Sequence, residues 1–70
     1  MLSFYEMICF AKVYNAAIGI TTRSSVSKQE IDIAFEVIKK MADNRYGWSQ
    51  QQKDMYKILV DYCKQAMEQN

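Results

Sequence analysis

The 70-residue sequence has no histidine and no proline, and it holds only two glycines and two cysteines. Each absence removes a class of chemistry. Without histidine, the usual general base for a serine or cysteine nucleophile is missing. Cys9 and Cys63 stand far apart and lack the close paired spacing that zinc or iron–sulfur sites require. Gly19 and Gly47 are too isolated to build a phosphate-cradling loop. No catalytic residue, metal site or cofactor is therefore expected. The two cysteines are read as small buried apolar residues and not as a disulfide.

Charge of one sign is also lacking. Nine basic residues face eight acidic ones, so the chain has no global positive field of the kind that drives non-specific binding to nucleic acid. Disorder is excluded by a composition that is 50% apolar or aromatic. The first twenty residues are apolar enough to raise the question of a signal peptide or a membrane span. Their first charge, Glu6, is acidic where a signal peptide is basic, and a spanning helix would carry both Glu6 and Lys12 into hydrocarbon. The segment is expected to be a core helix of a soluble, cytoplasmic protein, with no membrane role, of the general form of a bacterial or phage accessory protein.

What is present is helical pattern. The apolar periodicity breaks twice, around 21–25 and around 44–47, close to the two glycines, and this divides the chain into three segments. Ser27 with Glu30, and Ser49 with Gln52, each form a capping box that starts a helix, and Val26 and Ile31 flank the first at hydrophobic-staple positions. The second break begins with Asn44, a residue tolerant of a left-handed cap. The reading is a single all-α domain over 1–70, with helices near 3–20, 28–43 and 50–68. It is a three-helix bundle, or a helical hairpin plus an N-terminal helix.

The second helix places Ile31, Ala34, Val37, Ile38 and their apolar neighbours on an arc of about 200° at ~100° per residue, and the third does the same around Leu59 and Cys63. The first helix is apolar on nearly all sides. Two neighbours cannot surround it, so its remaining surface is expected to touch a second protomer or a partner protein. Phe4, Tyr5 and Tyr14 are its aromatic contact candidates.

Charged residues on the other two helices read as solvated surface. Asp54, Asp61 and Glu68 alternate with Lys53, Lys57 and Lys64 on the third helix, and Lys28 and Lys40 bracket Asp32 and Glu36 on the second, as exposed ion-pair ladders do. The second break gathers Arg45, Tyr46 and Trp48, residue types that dominate binding hot spots. Arg45 and Tyr46 are expected to be exposed contact residues. Trp48 is expected either to join them or to plug the bundle end with Tyr46 lying over it.

The function expected from these features is a non-catalytic protein–protein interaction module, a homodimer, adaptor or inhibitor of a larger target. A nucleic-acid regulator of helix-turn-helix type is the alternative from another class, and a membrane-associated small protein using its apolar first helix is a third, less favoured reading. Gln50, Gln51, Gln52 and Lys53 favour the nucleic-acid reading, while the acidic residues on the outward face of the third helix oppose it.

Overall fold

The computed structural model describes residues 1–69 and is all-α: α1 (Phe4–Ala17), α2 (Lys28–Met41) and α3 (Gln50–Glu68) form a three-helix bundle. Short 3-10 turns at Arg23–Ser25 and Ala42–Gly47 join them. All three helices begin in the same way. Ser27 Oγ accepts the Glu30 amide at 3.1 Å while a Glu30 carboxylate oxygen accepts the Ser27 amide at 2.8 Å. Ser49 and Gln52 repeat this at 3.2 and 2.8 Å. Ser3 and Glu6 do so as well, at 3.1 and 2.8 Å, a third capping box that the apolar character of the segment had obscured. Val26 and Ile31 are both buried, as a hydrophobic staple requires.

Two helix ends differ from the expectation. α1 stops at Ala17 and does not reach residue 20, because Gly19 adopts φ 87° and turns the chain. The Gly19 amide donates to the Ala16 carbonyl at 3.2 Å and the Ile20 amide to the Asn15 carbonyl at 2.9 Å. This pair of bonds is a Schellman motif, and glycine is the residue that reaches its left-handed position without a Cβ clash. Apolar pattern at Ile18 and Ile20 therefore continues past the helix itself. α2 ends at Met41, not 43, and tightens into the 3-10 turn. Asn44 lies at φ −114°, so it makes no left-handed cap.

α1 contributes only small residues to the core, against larger aliphatic ones from α2 and α3. Cys9, Val13 and Ala16 from α1 meet Val26, Ile31, Ala34 and Ile38, with Leu59, Cys63 and Ala66 from α3. Both cysteines are free thiols inside this cluster. The small side chains let the helices approach closely. Two ion pairs tie α1 to α2 across the rim: Lys12 to Glu30 at 2.7 Å and Lys40 to Glu6 at 3.8 Å. The second overturns the expected bracketing of Asp32 and Glu36, since Lys40 reaches across to α1 while Glu36 pairs with Lys39 at 2.6 Å. No ion pair forms along the acid–lysine pattern of α3 among the described residues. There Asp54 accepts from Gln50 at 2.9 Å instead.

Candidate interaction surface

None of the nine aromatic side chains belongs to the fully buried core. Aliphatic side chains, cysteine and alanine fill the interior, with Ile31, Ile38 and Leu59 the largest, and the large rings are displaced outward, which is the reverse of the economical use of aromatic area in a small domain. Phe4, Tyr5 and Tyr46 are exposed, while Phe10, Tyr14, Phe35, Trp48, Tyr56 and Tyr62 are half-buried.

Several of the exposed large apolar side chains, Phe4, Met7, Ile8 and Ile18, stand on the outward side of α1 and its C-cap. At ~100° per residue, Phe4, Met7, Ile8, Ala11, Asn15 and Ile18 lie within an arc of about 100°. The buried Cys9, Val13 and Ala16 occupy the opposite side. Phe4 is 76% exposed, and Met7, Ile8 and Ile18 are each about 40% or more open to solvent at 46%, 40% and 39%. No charged side chain stands on this arc. The nearest charges, Glu6 and Lys12, are already engaged with Lys40 and Glu30. Tyr5 stands on the α2 flank of the arc, and the hydrogen bond between its hydroxyl and the Cys9 thiol raises the phenol above its ordinary pKa.

A second feature lies on the other flank. Phe10 and Tyr14 of α1, stacked with centroids 6.2 Å apart, form one wall of an open apolar cleft of about 240 Å³. Met55, Tyr56 and Leu59 of α3 form the other wall, and Met41 and Trp48 close one end. Trp48 leans on Tyr56 at 5.4 Å between centroids. It stands at the bundle end as expected but is only half-buried, and Tyr46 does not cover it. Tyr46 is 94% exposed, with the Arg45 guanidinium 6.0 Å from its ring. The Arg45 guanidinium also donates to the Ala42 carbonyl at 3.0 Å, which holds it against the turn.

The sequence-derived contact residues thus separate into three places. Phe4 and Tyr5 belong to the N-terminal half of α1, Tyr14 and Trp48 meet in the cleft, and Arg45 with Tyr46 stand apart on the turn. Phe10, Met55 and Tyr56 complete the cleft. These were legible only as apolar positions on two separate helices.

Ionisation follows the same geometry. The Glu6 carboxyl is lowered by hydrogen bonds from Ser3, and the Glu30 carboxyl is lowered by Lys12 first and by Ser27 next. Lys12 is raised by Glu30. Burial pushes the Cys63 thiol from 9.0 up to about 11, so it is protonated and unreactive at neutral pH. Among the described residues, no three cysteine, aspartate or glutamate side chains gather as a metal site would need, and no helix is long and apolar enough to cross a membrane. Comparison with protein-family models, curated proteins and solved structures finds no match.

Proposed function

We propose that this chain is a non-catalytic protein-interaction module whose principal contact surface is the outward face of α1. One observation carries the reading: large apolar side chains, Phe4 foremost, stand in solvent on a helix whose other side is fully packed with small ones. In water, an uncharged apolar arc of this extent is unfavourable unless a partner covers it, and monomeric domains rarely keep one without such a use. Trp48 and the aromatic walls of the cleft add a pocket in which an apolar side chain of a partner can seat, the arrangement typical of binding anchors.

Photo-crosslinking in the native cell tests the reading. A benzophenone amino acid at Phe4 or Ile8 is expected to give a discrete crosslinked product. The same probe at Asp61, on the charged face of α3, is expected to give none. Equal crosslinking from all three positions, or none from α1, removes α1 as the contact surface.

A further inference from the structure

We infer that the occupant of the α1 face is a second copy of this chain, paired α1 to α1 in parallel with Asn15 opposite Asn15. The inference rests on the interaction-module reading and names its partner.

Spacing is the first argument. Phe4, Ile8, Ala11, Asn15 and Ile18 recur at intervals of four, three, four and three along the exposed side of α1. Over two heptads, ending on the C-cap residue Ile18, this matches the spacing of a two-stranded coiled-coil seam, in which such positions interlock with those of a neighbouring helix. The core-facing residues of α1, by contrast, are spent on α2 and α3. Ala11, in the middle of the seam, is small enough to let two helix backbones approach.

Asn15 is the second argument. It is the one polar residue on the seam, only part-exposed, and among the described residues its side-chain amide has no hydrogen-bond partner. A lone asparagine at such a position is satisfied when it faces an identical amide, because each side chain both donates and accepts. Parallel alignment provides that pairing and fixes the register; an antiparallel pair would set Asn15 against an apolar side chain.

Area and charge agree with self-pairing. Taking full side-chain areas of roughly 150–250 Å², Phe4, Met7, Ile8 and Ile18 together expose on the order of 400 Å². A pair would cover on the order of 800 Å² by these side chains, the size of a weak, reversible interface. The absence of charge from the seam means that two copies meet without like-charge repulsion. α1 is already ordered by its own bundle, so association does not have to fold it.

Sedimentation equilibrium over a range of concentrations, combined with cysteine crosslinking, tests this. The wild-type chain is expected to show a reversible monomer–dimer equilibrium in the micromolar range. Ile8→Glu and Phe4→Glu, both at exposed positions, are expected to weaken it at least tenfold while circular dichroism shows an unchanged melt. Asn15→Cys is expected to form a disulfide-linked dimer on mild oxidation, whereas the wild type, with Cys9 and Cys63 buried, is not. A strictly monomeric wild type overturns the second-copy inference; so does a dimer indifferent to both glutamates. A dimer sensitive to both glutamates whose Asn15→Cys variant stays unlinked overturns the parallel register. A monomer that still crosslinks to another protein through Phe4 would leave the interaction-module reading standing while this inference falls.

Discussion

At the scale of single residues, Cys63 makes the clearest link between burial and a measurable property. Its thiol is fully enclosed and its folded pKa lies near 11 against 9.0 when free. A group raised in this way supports the fold fully below its unfolded value, and the support drains as pH climbs through the folded value. Unfolding free energy measured by urea is therefore expected to fall by up to about 2–3 kcal/mol between pH 9 and pH 11. Cys63→Ala should show a markedly shallower slope over that window, though at lower overall stability. An identical slope in the variant would mean the thiol is not the titrating group.

Trp48 and its neighbours on the turn separate at the same scale. Trp48→Ala removes half-buried aromatic area from the end of the cleft, and a loss of roughly 2–3 kcal/mol is expected, below the ~3–5 of a fully buried ring. Arg45→Ala and Tyr46→Ala remove exposed side chains and should each stay within about 0.5 kcal/mol. Thermal melts of the three variants check the order. Sequence alone singled out Arg45, Tyr46 and Trp48 together because they are adjacent in the chain. The fold separates them, since the 3-10 turn sends Tyr46 to solvent and Trp48 toward Tyr56.

At the scale of elements, the capping boxes of α2 and α3 were readable as helix starts, while the stops of α1 and α2 were not. Serine followed three residues later by glutamate or glutamine encodes a start directly, because side chain and backbone satisfy each other within one turn. A stop depends on a conformation. Gly19 reads only as a break in the sequence, yet φ 87° at that position decides where α1 ends. Gly19→Ala, with open space for a Cβ but a strained backbone, is expected to cost about 1 kcal/mol or more, in the range of a left-handed non-glycine residue. Ser3→Ala should cost a similar ~1 kcal/mol by removing a cap, although nothing is lost from the core. Both are read from denaturant midpoints. If Gly19→Ala left the midpoint unchanged, α1 would not need this terminator.

Across the whole molecule, the sequence implied an all-apolar first helix that two partners could not cover, and the structure shows which side is left over. That side could not be read in advance. It depends on small residues being selected for the interior, and nothing in the spacing of α1 distinguishes Cys9, Val13 and Ala16 from Phe4, Ile8 and Ile18 until α2 and α3 are in place. The cleft is equally illegible, because Phe10 and Met55 belong to one site only through packing. Two ion pairs then orient α1 on α2. Glu6 and Glu30 have lowered folded pKa values, so their support is present above the ordinary carboxylate range and is lost as pH falls through the folded values.

The central claim is that the outward face of α1 is where this molecule meets a second copy of itself. The most direct measurement is a series of nitrogen–proton correlation spectra recorded as the chain is concentrated from dilute solution. The account predicts progressive shifts at Phe4, Met7, Ile8, Ala11, Asn15 and Ile18, with the amides of the charged face of α3 unmoved. Shifts spread over α2 and α3, or spectra that do not change at any concentration, would contradict it.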